Sequence, residues 1–353
     1  MIMALENQYR GTGLPDLQPM QGADARAVAA LLAQCPAHAP TPLVDCPELA
    51  DKAGVARLTI KDERARMGLG SFKALGAAYA IAREAAAVGG DLRQALKGRT
   101  YVTASAGNHG MSVAAGARIF GAAAVVYLSH AVPEGFASRL EGMGAQVERA
   151  GADYEASMQA AAAAAAAEVN GWTLLSDGSW PGYVDLPFRV MEGYRQLASE
   201  IAADMSTDGR DVPSHVLLQA GVGGLAAAVA AQLRLAWGDA PQMIVVEPEV
   251  APALIESIRA GHVVDTEGPD SSMGRLDCKT PSMLALADLA RDADRFVTIS
   301  EEEAAAGAAV VAGAGLASTP SGAAGVAALL AGLEGIGPQS HVLCILSEGP
   351  EDA

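Results

Sequence analysis

Short apolar runs alternate along this chain with longer segments in which alanine, leucine and valine recur at helical spacing, and glycine marks most of the changes. RLTIKDE (57–63), TYVTA (100–104), AAAVVYLSH (122–130), HVLLQ (215–219), QMIVVEPE (242–249) and HVLCILSEG (341–349) read as strands. Such runs, bounded by turn residues, suit strands buried on both faces. Helices are predicted near Asp24 to Gln34, from about Lys73 to Val88, through VPEGFASRLEGMGA (132–145), after AGVGG (220–224), near Ala251 to Ala260, and after TPSGAAG (319–325). The alanine run from Ala160 to Ala167 also reads as a packed helix, because alanine is the strongest helix former. CPAHAPTPL (35–43) ends the first helix, since its prolines forbid continuation. DSSMGRLDCKTPS (270–282) reads as irregular. Strand and helix alternation of this kind implies parallel βαβ units and an α/β fold.

Length and composition narrow the picture. At 353 residues the chain exceeds what one core usually supports, so two domains are expected. Half of it is hydrophobic but only 4% aromatic, which leaves alanine, valine and leucine to build the interior. A net charge of −17 with no dense basic cluster argues against a nucleic-acid partner. No basic leader followed by an apolar stretch opens the chain, and no segment is long and apolar enough to span a bilayer; a soluble, cytoplasmic protein is expected. Cys35, Cys46, Cys278 and Cys344 lack CxxC spacing and the histidines lack HxxxH spacing, so buried reduced thiols are expected and no metal site.

Chemistry concentrates in three small-residue turns at predicted strand ends, SAGNHG (105–110), AGVGG (220–224) and TPSGAAG (319–325). Open α/β sheets bind ligands there, and helix N-termini offer free N–H groups to an anion. Gly221, Gly223 and Gly224 make AGVGG a candidate phosphate cradle, although glycine serves tight helix–strand packing equally well. A dinucleotide fingerprint fails, since Ala226 stands where the third glycine is required. Lys73, in SFK before an apolar helix, is either a snorkelling surface residue or a buried amine kept neutral for chemistry. Singly, Asn108 is a turn former, Ser347 a strand-end cap, His109 a packed residue rather than a base, and Asp177 a loop stabiliser beside Gly178.

Taken together, SFK, SAGNHG, AGVGG and the terminal SEG occur in the order seen in the fold type II, tryptophan synthase β-like family of pyridoxal 5'-phosphate enzymes, which this sequence resembles over most of its length. KDERARMGLGSFKALGAAYA (61–80), SDGSWPGY (176–183) and LLQAGVGGLA (217–226) look most like its diaminopropionate ammonia-lyase branch. The resemblance implies two open twisted sheets flanked by helices. It implies a large phosphate-binding domain from 1–78 and 205–353 and a small domain, 79–204, carrying the asparagine loop. It further implies that Lys73, beside Phe72, holds the cofactor through an imine and is the base at the substrate Cα. Gly221, Val222, Gly223, Gly224 and Leu225 would hold the phosphate, Asn108 the ring 3-oxygen, and Ser347 would face the pyridine nitrogen. Ser105, Ala106, Gly107 and His109 would take the substrate carboxylate, and Asp177 the distal amine or leaving group.

The implied activity is α,β-elimination of a β-substituted L-amino acid to a 2-keto acid and ammonia, by a homodimer. Dehydration of serine, threonine or 3-hydroxyaspartate is the alternative, and a non-catalytic binding module with the same fold is a second. The sequence departs from the ammonia-lyase pattern at Ala106, where that pattern has aspartate, at Pro320, where it has glutamate, and in GRLDCKTP (274–281), which matches AGLxCGEP. With no carboxylate at position 106, Lys73 remains the α-proton base and an L substrate is expected. Arg275 or Lys279, if facing the pocket, would favour a substrate with a second acidic group; a solvated loop is the other reading.

Overall fold

The computed structural model describes residues 3–19, 24–167, 169 and 171–350. Its strands are, in chain order, β1 (Ala4–Glu6), β2 (Leu43–Asp45), β3 (Arg57–Asp62), β4 (Thr100–Ala104), β5 (Ala123–Leu128), β6 (Gln146–Arg149), β7 (Thr173–Leu174), β8 (His215–Gln219), β9 (Gln242–Pro248), β10 (Arg295–Ile299) and β11 (His341–Leu346). Helices α1 (Ala25–Leu32), α2 (Pro47–Ala53), α3 (Lys73–Val88), α4 (Asn108–Ile119), α5 (Glu134–Gly142) and α6 (Tyr154–Ala166) lie in the first half. The second half holds α7 (Asp185–Thr207), α8 (Gly224–Trp237), α9 (Ala253–Ala260), α10 (Met283–Asp292), α11 (Glu301–Gly313) and α12 (Pro320–Ala331).

Two sheets form. The larger has the order β1-β10-β9-β8-β11-β3-β2 and the smaller β6-β5-β4-β7. All pairings are parallel except those of the short edge strands β1 and β2, which run antiparallel to β10 and β3. The central strands are buried on both faces; Val216, Leu217 and Leu218 of β8 have no exposed surface. One face of the large sheet shares a core with α3, α7, α8 and the small sheet, while α2 and α12 pack on its other face.

Two arrangements set the position of the site. The turn from β3 into α3 carries Met67, Gly68 and Gly70 in left-handed conformations (φ +51°, +70° and +75°), which glycine adopts without the Cβ penalty. It ends in backbone pairing of Phe72 N to Ser347 O (3.1 Å) and Gly349 N to Gly70 O (3.0 Å), so the start of α3 is fixed against the end of β11. The helix pair α3 and α7 then crosses at two glycines. A Cβ on Gly76 would lie 2.5 Å from Tyr194 Cε1, and one on Gly193 2.5 Å from Leu75 O, contacts no real side chain could make.

A buried ionic cluster ties β3 and its following turn to α7. Arg66 Nη2 lies 2.6 Å from Glu200 Oε2 and 2.7 Å from Glu63 Oε1, and Lys61 Nζ 2.8 Å from Glu200 Oε2. Burial alone would raise the Glu200 carboxyl, but the Arg66 and Lys61 cations outweigh it and hold it at about 2. Of the four cysteines, all free, Cys46 and Cys344 are buried as expected, whereas Cys35 and Cys278 are half-buried.

Candidate active site

The site lies where the carboxyl ends of the two sheets face each other. Lys73 opens α3, Asn108 opens α4, Gly224 opens α8, and Ser347 follows β11. These are the strand ends and helix starts where α/β sheets bind ligands.

Lys73 Nζ is hydrogen-bonded to Asp177 Oδ2, both side chains keeping about a fifth or less of their surface exposed (21% and 16%). Its ammonium also stands over the rings of Phe72 (5.3 Å) and Tyr194 (5.8 Å), which pack edge to face. The apolar surroundings predicted for Lys73 therefore need correction. Burial alone would depress the amine, but the Asp177 carboxylate raises it well above the ordinary lysine range. Asp177 shows the reciprocal balance: burial would raise it, yet Lys73 and then His109 hold it far below the usual carboxylate range.

The SDGSWPGY loop reaches this position because it is anchored at both ends. Tyr183 OH donates to Leu174 O (2.8 Å) and accepts from Ser176 N (3.0 Å), and Trp180 stacks on Tyr183 at 4.5 Å. Ser179 Oγ bonds Ser282 Oγ (2.7 Å) and accepts from Leu284 N (2.9 Å). Asp177 is thus held between the small sheet and α10 of the large one.

Beside this pair lies the glycine loop. Gly223 has φ +96°, and no side chain caps α8. A Cβ at Gly221 would come 2.9 Å from Cys278 Sγ and 3.0 Å from Leu276 Cα, so only glycine lets the loop close against that segment. Val222 O accepts from Ser282 N (2.9 Å), while Leu225 is buried in the first turn of α8. Tyr194 links loop and lysine, lying 3.7 Å from where a Gly224 Cβ would be. Its buried hydroxyl finds no partner in hydrogen-bond geometry, although the Lys73 ammonium acts on it. An uncapped helix start behind a glycine turn, an orphaned phenol and a lysine at one mouth fit an aldehyde cofactor carrying a phosphate.

Across the cleft, Asn108 Nδ2 donates to the Glu348 carboxylate, which also accepts from Thr319 Oγ1 (2.5 Å). Ser347, 5% exposed, precedes Glu348, so Asn108 and Ser347 share one corner. In the turn before α4, Gly107 N donates to Ser105 Oγ (3.2 Å). His109 is buried beside the pair, its Nε2 2.8 Å from Leu175 O, and burial lowers its pKa against the opposing pull of Asp177. Arg275 does face the cleft, with Nη1 3.3 Å from Ala106 O. Lys279 does not: its Nζ is 2.6 Å from Asp277 Oδ1 and 3.0 Å from Val250 O.

Three residues at the site were not singled out from the sequence. Glu348 follows Ser347 in SEG, and a charged residue at the end of a buried strand was its one local signal. Cys278 lies against Gly221, and burial pushes its thiol up to about 12. Tyr154 keeps half of its surface exposed, yet the surroundings of its hydroxyl end raise it, first by desolvation and then through Asp177 and Cys278. Cys278 was named only as a thiol and as the cysteine of GRLDCKTP, and Tyr154 has no local signature.

A family model described as pyridoxal-phosphate dependent enzyme matches residues 35–348. The diaminopropionate ammonia-lyase of Salmonella typhimurium is 30% identical over 319 residues, covering 84% of this chain and 77% of that protein. The Escherichia coli protein of the same name is 32% identical over 288 residues, covering 78% and 71%. The crystal structure of the E. coli protein in complex with D-serine superposes with a TM-score of 0.87 at 28% identity, over 100% of this chain and 95% of that one. Its complex with an aminoacrylate-PLP azomethine reaction intermediate gives 0.86 at 29% identity, over 100% and 94%.

Proposed function

The chain belongs to the pyridoxal-phosphate-dependent enzyme family, and we propose that it eliminates the β substituent of an L-amino acid of the diaminopropionate type, yielding a 2-keto acid and ammonia. The observation that carries this reading is the Lys73–Asp177 pair at the mouth of the glycine loop. Pyridoxal phosphate is the cofactor. Lys73 would hold its aldehyde carbon, the backbone N–H groups from Gly221 to Leu225 its phosphate, and Asn108 and Ser347 its ring. Bound there, it supplies an electron sink that acidifies the substrate Cα–H.

The remaining chemistry belongs to side chains. Lys73 takes the Cα proton at Nζ, and the adjacent Asp177 carboxylate makes that nitrogen the stronger base by stabilising its ammonium form. The same pair then holds a proton where an amine leaving from Cβ needs one, so Asp177 aids both removal and delivery. Backbone N–H groups from Ser105 to His109 orient the substrate carboxylate. Ala106 offers no second base on the opposite face, which supports L selectivity. A hydroxyl leaving group, as in a serine or threonine dehydratase, is the second reading, favoured by the SAGNHG turn.

The two-domain division at 1–78 with 205–353 and at 79–204 is supported by sheet membership, since β4 to β7 make the small sheet and every other strand the large one. Four free thiols support a reducing, cytoplasmic location, and no described helix is long and apolar enough to cross a membrane. A homodimer is the assembly that the family resemblance supports.

Absorbance spectra of the purified holoenzyme before and after L-2,3-diaminopropionate, with keto acid assayed in parallel, test the reading. A shifted cofactor band with accumulating pyruvate is expected. An unchanged band and no keto acid from diaminopropionate, serine or threonine would refute it.

A further inference from the structure

Tyr194 of α7 keeps 1% of its surface exposed and is held from several sides. A Cβ on Gly76 of α3 would stand 2.5 Å from its Cε1 and 2.8 Å from its Cζ, so the ring lies directly against that helix. A Cβ on Gly224, the first residue of α8, would stand 3.7 Å from its Cε2. Phe72 packs edge to face on it with centroids 4.9 Å apart, and Lys73 Nζ is 5.8 Å from the ring centre. One phenol ring thus bridges the lysine and the start of the helix behind the glycine loop.

The hydroxyl of this ring has no hydrogen-bond partner among the described residues, and a buried polar group in that state calls for an explanation. The cation that acts on it is Lys73, and an ammonium has donors but no lone pair. Lys73 therefore gives the phenol proton no acceptor. The Asp177 carboxylate also acts on the phenol, but outside hydrogen-bond geometry, and it is bonded to Lys73. Burial outweighs the pull of Lys73 and keeps the phenol protonated. Tyr194 thus brings a desolvated, unused O–H donor to the site.

We propose that Tyr194 OH donates to the phosphate of pyridoxal phosphate, adding one side chain to the cradle of backbone N–H groups from Gly221 to Leu225. The inference rests on the cofactor site described above and adds a residue to it. A phosphate presents three strong acceptor oxygens, more than the N–H groups at one helix start can saturate. An O–H bond to an anionic oxygen is among the stronger hydrogen bonds. A donor that stays unsatisfied until that oxygen arrives disfavours the phosphate-free state, so the hydroxyl selects for the phosphorylated form of the aldehyde.

The test compares three ligands on the full-length cofactor-free protein. Pyridoxal phosphate carries aldehyde and phosphate, pyridoxal lacks the phosphate, and inorganic phosphate lacks the aldehyde. Tyr194→Phe keeps the ring and its packing on Phe72 and removes the hydroxyl alone. Absorbance titration gives the affinity for the two aldehydes, and the rise in melting temperature reports inorganic phosphate. The substitution should weaken pyridoxal phosphate by about 10- to 150-fold and leave pyridoxal within about twofold. It should also shrink the melting-temperature rise produced by inorganic phosphate. Without ligand, the variant should melt at the same temperature as wild type or higher, because the group removed has no partner.

A lower melting temperature of the ligand-free variant would reveal a structural partner for the hydroxyl and overturn the contact. Equal weakening of both aldehydes, or unchanged affinity for pyridoxal phosphate, also overturns it. Where wild type prefers pyridoxal phosphate to pyridoxal and Tyr194→Phe keeps that preference, the cradle stands without the tyrosine. A wild type indifferent to the phosphate overturns cradle and contact together.

Discussion

Replacing Asp177 by asparagine keeps the shape of the loop and removes one charge, and the consequences divide between Lys73 and the leaving group. An opposite charge at contact distance moves a pKa by about 1 to 3 units, which is about 1.4 to 4 kcal/mol. Both side chains are at most about one-fifth exposed, so solvent screening trims little from this range. In wild type that contribution overrides burial and raises the lysine. In Asp177→Asn burial is opposed only by Tyr194 and Cys278, and the amine should titrate well below its wild-type position. Two readouts with opposite signs follow. Trinitrophenylation of Lys73 in the cofactor-free protein should become faster at pH 8, because more of the amine is neutral. Turnover should fall by about 10²- to 10⁴-fold in kcat, because the base is weaker and the departing amine lacks its proton source. KM should change far less than kcat, and the melting temperature of the cofactor-free variant should not collapse. Slower labelling, or kcat within a few-fold of wild type, would refute the assignment of Asp177 as the partner that sets the proton affinity of Lys73.

Gly221→Ala places a Cβ 2.9 Å from Cys278 Sγ and 3.0 Å from Leu276 Cα; overpacking of about 1 to 3 kcal/mol should displace the loop and weaken cofactor binding by roughly tenfold or more, read by titrating pyridoxal phosphate, and unchanged affinity would remove this loop as the phosphate cradle. With Ala106 in place of a base, D-2,3-diaminopropionate should be consumed at least about 100-fold more slowly than the L-isomer, while Ala106→Asp gains activity on the D-isomer; equal rates in wild type defeat the prediction. Glu200→Gln leaves Lys61 and Arg66 facing Glu63 alone with one buried positive charge unbalanced, at a cost of about 3 to 5 kcal/mol, measurable by chemical denaturation. Because the folded pKa of Glu200 is depressed from 4.5 to about 2, its stabilisation is fully present above pH 4.5 and is lost as pH falls through 2. The variant's stability should therefore change less than wild type's across that window.

What was legible in the sequence is what local physics decides. The alternation of apolar runs and glycine turns gives the parallel strands, and α3 begins and ends at the predicted Lys73 and Val88. The alanine run is helical as expected through Ala166, where α6 ends, and Ala167 caps it in an extended conformation. Glycine turns at strand ends mark the proposed cradle because a Cβ at Gly221 or Gly223 would crowd its neighbours. The helix α7 escaped notice although it is the longest described, at 23 residues. Glu192, Arg195, Gln196 and Glu200 are all buried in it, so its inward face does not read as an apolar stripe. Its charges are tolerable only because partners such as Arg66, 134 residues away, come to meet them.

Lys73 shows the same division within a single residue. Its chain neighbours, Phe72 and the alanines of α3, determine how far it is desolvated, and from them a depressed amine pKa follows correctly as one contribution. The direction of the net shift is decided by Asp177, 104 residues distant and delivered by a loop anchored to both sheets. Arg275 is the same case in reverse. Its segment read equally well as solvated, but Leu276 and Cys278 pack against Gly221, Arg275 N donates to Ser321 Oγ, and the guanidinium lies against Gly107. The lysine proposed to hold the cofactor is thus identifiable from its motif, but its charge state and the setting of Arg275 are properties of the packed site. Both depend on which distant loops the two sheets bring to it.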